Sequence, residues 1–142
     1  MTESQAVEAA LRALRARDRT AAELDERLNA RGAGPAERRE VLELLERVGY
    51  VDDRRFADTR AAALAARGSG DALIRDDLER RGVAAETIDA ALAGLEPEHV
   101  RAERVVATRG RSAKTARHLA ARGFDEDAVA SAVAPEGSGE VE

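Results

Sequence analysis

A short signature, Leu-x-x-Arg-Gly, occurs four times along the chain, and three of its copies constrain the fold more than any other feature. These three copies end at Gly32, Gly82 and Gly123, and the fourth ends at Gly68. Glycine ends helices readily because it enters the left-handed backbone conformation without a Cβ clash. Each of these glycines follows one helical stripe of apolar residues and precedes another. The spacing therefore predicts three tandem three-helix repeats, at residues 4–49, 50–94 and 95–134.

Apolar residues at helical spacing favour an all-α fold without a β-sheet. A single three-helix repeat buries little apolar surface, so neighbouring copies are expected to share their cores in an elongated, curved array. The composition agrees: 36% of the residues are charged and only 2% are aromatic, whereas sandwiches and barrels need more aromatic and β-branched residues. The polar stretch PEGSGEVE at 135–142 is expected to be a disordered tail.

The turn between the first two repeats can be interpreted position by position. Gly49 is suited to end a helix in the left-handed conformation. Asp52 is suited to cap the next helix, because its carboxylate accepts an orphan backbone N–H. Val51 and Phe56 then stand at the spacing of a hydrophobic staple. Asp52 and Asp53 together are interpreted as a cap and a helix-dipole partner in preference to metal ligands.

This turn and the helices after it resemble the RecX family of bacterial regulatory proteins. Residues 49–57 read GYVDDRRFA, where that family usually reads G-Y-[LI]-[DN]-D-x-x-[FY]-A. An Arg-Gly pair at 67–68 and the pattern Leu-Ile-Arg-x-x-Leu-x-x-Arg-Gly at 73–82 extend the resemblance. The segments 20–32 and 118–124 are similar to the family's first and third repeats. The resemblance thus covers residues 5–134.

The resemblance implies a fold and a function. RecX proteins are three tandem three-helix repeats that bind RecA filaments on single-stranded DNA. They lie along the filament groove and reduce the ATPase, strand-exchange and co-protease activities of RecA. A member of this family would act in recombination, DNA repair and the SOS response, as a monomer without a cofactor. RecA is therefore the expected partner, and direct, non-specific DNA binding is a further expectation.

The charge distribution points to a part of the chain that such a partner would contact. The net charge is −5, yet residues 101–122 carry seven cations against the single carboxylate of Glu103. A solvated helix face is one interpretation of this segment. Binding to phosphates or to an acidic protein groove is the other. The candidate contact residues are Arg101, Arg104, Arg109, Arg111, Lys114, Arg117 and Arg122, followed in the central repeat by Arg60, Arg67, Arg75 and Arg80.

The predicted contacts are electrostatic, because the aromatic residues are assigned to the core. Tyr50, Phe56 and Phe124 are all interpreted as core or staple residues, which leaves none for stacking on bases. The cations of residues 101–122 are expected to be exposed, and contacts to nucleic acid are expected to involve phosphates without reading bases.

The sequence argues against an enzyme and leaves two other functions open. It contains no cysteine, phosphate-binding loop, HExxH or GxSxG motif, and His99 and His118 are interpreted as surface residues. No apolar run is long enough for a membrane span and no signal peptide is recognisable, so a soluble, cytoplasmic protein is expected. The alternatives to a RecA modulator are a helix-turn-helix DNA-binding regulator and a helical adaptor with an unrelated protein partner.

Overall fold

The computed structural model describes residues 1–135, and this part of the chain contains nine α-helices and no strand. The helices are α1 Glu3–Ala16, α2 Ala21–Ala30, α3 Pro35–Arg47, α4 Asp53–Ala66, α5 Asp71–Arg80, α6 Ala85–Ala93, α7 Glu98–Arg109, α8 Ala113–Ala121 and α9 Glu126–Val133. The predicted all-α class is confirmed. Apart from Pro135, the predicted tail lies outside the described residues.

The contacts divide the chain into two compact units. The first unit contains Met1–Ala57 and Leu78–Ile88, and the second contains Asp58–Asp77 and the described residues from Asp89 onward. The division passes through α4, α5 and α6, so each unit holds part of the predicted central repeat. The repeat boundaries at 4–49, 50–94 and 95–134 stay a prediction.

The core of the first unit is built on an alanine face of α1. Helices α1, α2 and α3 pack against one another, and the apolar stripe of α1 predicts burial of its larger residues. Instead, four alanines of α1 are buried, and Val7, Leu11 and Leu14 are half-buried at the edge of the core. The helix begins at Glu3, because Thr2 forms a capping box with Gln5.

The turn after α3 has the predicted helix stop and cap. Gly49 has a φ of +87°, and an Asp52 carboxylate oxygen accepts the backbone N–H of Arg55 at 3.0 Å. Val51 and Phe56 are buried as expected. The assignment of Tyr50 to the core is wrong, because 58% of this residue is exposed. The turn places Val51 against the core of the first unit and leaves Tyr50 on the solvent side.

The core of the second unit lies between its last three helices. Helix α7 packs against α8 and α9. The buried side chains of this core are Ala102, Val106, Leu119, Phe124, Val129 and Ala132. The interpretation of Phe124 as a core residue is therefore confirmed.

Two of the Arg-Gly pairs, those ending at Gly82 and Gly123, take part in a repeated joint between helix ends. In the first unit, the end of α5 lies against the start of α2: the Thr20 hydroxyl donates to the Arg81 carbonyl at 2.7 Å. A Cβ placed on Gly82 would lie 2.4 Å from the Cβ of Ala22. Gly82 also has a φ of +81°. This position therefore excludes other residues by both backbone conformation and space.

The second unit contains the same joint, made by the end of α8 and the start of α5. The N–H of Gly70 donates to the Arg122 carbonyl at 2.8 Å, and the N–H of Ala72 donates to the Gly123 carbonyl at 3.1 Å. A Cβ on Gly123 would lie 2.8 Å from the Cβ of Leu73. Each of these two Arg-Gly pairs thus ends the middle helix of one predicted repeat and contacts the start of the middle helix of another.

An acidic residue at the start of a neighbouring helix completes each joint. Asp53 opens α4, and its carboxylate accepts the N–H of Ala21, at the start of α2, at 2.8 Å. Glu98 opens α7, and its carboxylate accepts the N–H of Asp71, at the start of α5, at 2.7 Å. Carboxylates are favourable at helix N-termini because these ends carry unsatisfied N–H groups and a positive partial charge. Asp53 therefore stabilises a helix distant in sequence as well as its own.

Among residues 1–135, no helix is long and apolar enough to cross a membrane.

Candidate partner-binding surface

The basic segment predicted at residues 101–122 forms α7, the following turn and α8 in the second unit. Its seven cations fall into three groups according to what they contact. One is buried, several are exposed, and one is half-buried against neutral acceptors. Their roles therefore differ, although the sequence places them in one run.

Arg101 is a structural residue, and the expectation that it is exposed is wrong. Only 7% of it is accessible. Its guanidinium donates to the carbonyls of Glu96 and Ser69, each at 3.0 Å, and forms an ion pair with Asp71. It also lies 5.9 Å from the centre of the Phe124 ring. An arginine is tolerated in a core when its donors are satisfied in this way, and here it ties α7 to the start of α5.

Arg104 is exposed but is held by an acid. Its two terminal nitrogens donate to the two carboxylate oxygens of Glu96 at 2.7 and 2.9 Å. This bidentate hydrogen bond is the main reason that the pKa of the Glu96 carboxyl is lowered and that the pKa of Arg104 is raised. Because both side chains are open to solvent, the ion pair is weak, and Arg104 can exchange Glu96 for another anion.

Three exposed cations carry unbalanced charge. Within the described part of the chain, Arg109, Lys114 and Arg117 have no ion pair or side-chain hydrogen bond. The half-buried Arg122 donates to the Arg67 carbonyl at 3.1 Å and to the Ser69 hydroxyl at 3.3 Å, so neutral acceptors orient it while its charge remains. Arg111 is also exposed. We call Arg109, Lys114 and Arg117 the basic surface.

Two of the four candidates in the central repeat are held by acids. Arg60 forms two hydrogen bonds with Asp77, at 2.9 and 3.1 Å, and Arg75 bonds Asp89 at 2.6 Å. Arg80 is exposed. Arg67 is different, because it is exposed at the end of α4 and lines a cleft together with residues of α7.

This cleft lies within the second unit and has a volume of about 360 Å³. The C-terminal end of α4 forms one wall and α7 forms the other. The charged and polar residues that line it include Arg67, Arg101, Arg104, Arg109, Thr108 and His118. Burial, followed by the charges of Arg109 and Arg122, lowers the pKa of His118 below its ordinary value. Burial is the largest cause of this lowered pKa, and the two arginines add a positive potential at the imidazole ring.

Tyr50 is a candidate contact residue that the sequence interpretation missed. Phe56 and Phe124 are buried, which makes Tyr50 the exposed aromatic side chain of residues 1–135. Arg55 stabilises the turn that carries Tyr50 by donating to the Gly49 carbonyl at 3.1 Å. Val48, 55% exposed, is close in sequence. Tyr50 and Val51 are adjacent in the turn, and only the fold shows that Val51 is the one that faces the core.

The side chains of the basic surface are hydrogen-bond donors suited to anions. Among residues 1–135, no group of three or more histidine, cysteine or acidic residues is placed to hold a metal ion. The arrangement offers guanidinium and ammonium donors, which bind carboxylates and phosphates through charge and hydrogen bonds.

Comparisons with known proteins agree on one family. A sequence model described as the second three-helix domain of RecX matches residues 52–92. The chain is 36% identical over 142 residues to regulatory protein RecX of Halorhodospira halophila, covering 92% of this chain and 88% of that protein. It is 39% identical over 134 residues to regulatory protein RecX of Chromohalobacter salexigens, covering 88% of each chain.

The similarity extends to solved structures. The crystal structure of RecX from Lactobacillus salivarius matches with a TM-score of 0.81, covering 92% of this chain and 94% of that chain at 18% sequence identity. A second RecX crystal structure matches with a TM-score of 0.76 and covers 92% of this chain and 70% of that one. At sequence identities of 18% and 19%, these structural matches show a common fold.

The described fold places the chain in the class of all-α proteins built from small helical units with repeated helix-end joints. The identities and coverages above then give the family: the chain belongs to the RecX family of regulatory proteins.

Proposed function

We propose that this protein modulates the RecA recombinase. In this proposal it binds RecA filaments formed on single-stranded DNA and lowers the ATPase, strand-exchange and co-protease activities of RecA. It would act in the cytoplasm as a monomer, during recombination, DNA repair and the SOS response. Membership of a family of regulatory proteins is the observation that carries the proposal.

The basic surface supports a role in contacting the filament. Arg109, Lys114 and Arg117 are exposed and unbalanced within the described residues, although the whole chain has a net charge of −5. Folding leaves these charges without partners, so an acidic groove or a phosphate backbone gains from meeting them. Such contacts set the association rate and the salt dependence more than they select a base sequence.

Tyr50 supports a second contact, in the first unit. Exposed tyrosines contribute strongly to protein interfaces, because the rigid ring buries a large area at a low cost in conformational entropy. Arg55 holds the turn that presents the ring. We propose that Tyr50 packs against the protein partner.

Co-sedimentation separates this proposal from its alternatives. Purified protein is mixed with RecA and a nucleotide analogue that stabilises filaments, with and without single-stranded DNA, and with DNA alone. The proposal predicts that the protein pellets with RecA–DNA filaments and lowers their ATPase rate. Binding to duplex DNA in the absence of RecA, combined with no effect on filaments, would instead support a helix-turn-helix regulator. No binding in any mixture would support an adaptor with an unrelated partner.

A further inference from the structure

The cleft between the end of α4 and α7 has the size and lining of a small-ligand site. Its volume of about 360 Å³ lies at the lower end of the range for ligand pockets. Its apolar part is formed by Ala65, Ala66, Val105 and Phe124. An apolar wall excludes water from one side of a bound group and so strengthens the electrostatic interactions there.

The balance of charges around this cleft favours an anion with two negative charges. Arg101 lines the cleft and is neutralised by its ion pair with Asp71. Of the other lining arginines, Arg104 bonds the carboxylate of Glu96, and Arg67 and Arg109 bond none in the described part of the chain. The three guanidiniums and one carboxylate leave two positive charges, and the nearby Arg122, which donates to the Arg67 carbonyl, adds to this excess. Within residues 1–135, neither Arg67 nor Arg109 has a side-chain partner.

Donors of two kinds line the same cleft. The guanidiniums of Arg67 and Arg109 provide planar, bidentate donors suited to phosphate oxygens. His118 and the Thr108 hydroxyl add donors that are polar but not permanently charged. The partial negative charge at the C-terminal end of α4 acts against an anion. That effect is reduced because Arg122 donates to the Arg67 carbonyl.

We propose that this cleft binds a terminal phosphate group, a dianion of the kind found in pyrophosphate, in nucleotides and at the 5′ end of a nucleic-acid strand. A phosphodiester inside a strand carries a single negative charge and would leave one of the two positive charges unbalanced. The proposal does not depend on RecA being the partner, because the cleft and all its charges belong to the second unit.

Histidine NMR tests the proposal on the whole protein. The chain has only two histidines: His118 lines the cleft, and His99 is exposed on α7 and does not line it. Pyrophosphate is titrated into the protein at constant ionic strength maintained with chloride. The proposal predicts a saturable shift of the His118 signals and unchanged His99 signals. Unchanged or non-saturating His118 signals would overturn it.

Two short oligothymidylates, one with a 5′-phosphate and one with a 5′-hydroxyl, identify the source of the phosphate. If the 5′-phosphorylated strand moves the His118 signals as pyrophosphate does, and the 5′-hydroxyl strand does not, the cleft binds the end of a strand. If pyrophosphate alone moves these signals, the cleft binds a free phosphate or a nucleotide. Equal shifts with both strands would show that an internal phosphodiester is sufficient, and the terminal-phosphate proposal would be wrong.

A matched pair of variants separates a built site from diffuse attraction. Arg67→Gln with Arg109→Gln removes the two free guanidiniums from the cleft. Arg12→Gln with Arg15→Gln makes the same change in a groove of equal volume, about 360 Å³, in the first unit. We expect the first pair to weaken pyrophosphate binding by about tenfold or more and the second pair to leave it unchanged. Equal affinities for both folded variants would contradict the proposal.

Discussion

Gly82→Ala measures how much the joint between α5 and α2 contributes to stability. An alanine at the φ of +81° found here costs about 1–2 kcal/mol in backbone strain. Its Cβ would also lie 2.4 Å from the Cβ of Ala22. Because that atom is fixed to a helix backbone, relief requires the two helices to separate, and overpacking of this kind costs about 1–3 kcal/mol. The expected loss is therefore about 2–5 kcal/mol.

Gly32→Ala is the matched control for this measurement. Gly32 ends α2 with a φ of +96°, and a Cβ placed on it would have no atom within 4 Å. Its substitution should cost only the backbone strain, about 1–2 kcal/mol. Urea unfolding followed by circular dichroism gives the free energy of unfolding of both variants. If the two lose the same stability, Gly82 is only a helix stop and the joint contributes nothing.

Three other side chains give predictions that single substitutions can test. Asp53→Ala removes the acceptor of the Ala21 N–H and should cost about 1 kcal/mol, as a lost helix cap does; an unchanged urea midpoint would refute this. Tyr50→Ala should change stability by less than about 0.5 kcal/mol, because the side chain is exposed, and should weaken RecA-filament binding; unchanged affinity would exclude Tyr50 from the interface. The pKa of His118 is lowered in the folded state. The stability that this side chain contributes is therefore present above its ordinary pKa of about 6.5 and is lost as pH falls. His118→Gln should remove that part of the pH dependence of the free energy of unfolding.

Local chemistry allowed the helix ends to be predicted from the sequence. The glycine stops and the Asp52 cap each depend on a few adjacent residues. The all-α class follows from the spacing of apolar residues, which is also a local property. These predictions therefore hold.

The errors concern side chains whose environment depends on distant residues. Arg101 stands in a basic run, and nothing near it in sequence shows that its guanidinium reaches Ser69 and Asp71. The sequence indicates Asp53 only as a partner of its own helix, but it also caps α2, thirty-two positions away. Helical spacing identifies a face without telling whether solvent or another helix covers it.

The candidate surface was only partly predictable for the same reason. The sequence shows the excess of positive charge in residues 101–122. Only the fold separates the buried Arg101 and the paired Arg104 from the unbalanced Arg109, Lys114 and Arg117. A test of the surface should therefore change the last three and leave the first two.

The central claim is that the basic surface binds the RecA filament, and a pair of charge-reversal variants tests it. One variant changes Arg109, Lys114 and Arg117 to glutamate. The control variant makes the same change of total charge on exposed residues of the first unit: Arg12, Arg15 and Arg27. Circular dichroism shows that both are folded before binding is measured.

The deciding measurement is the affinity of each variant for RecA filaments on single-stranded DNA at two salt concentrations. We expect the basic-surface variant to bind more weakly than the wild-type protein. We also expect a flatter salt dependence, with the slope reduced by roughly 0.7 for each phosphate that the variant no longer neutralises. The control should retain nearly all of its affinity. A folded basic-surface variant that binds like the wild-type protein, or an equal loss of affinity in both variants, would contradict the account.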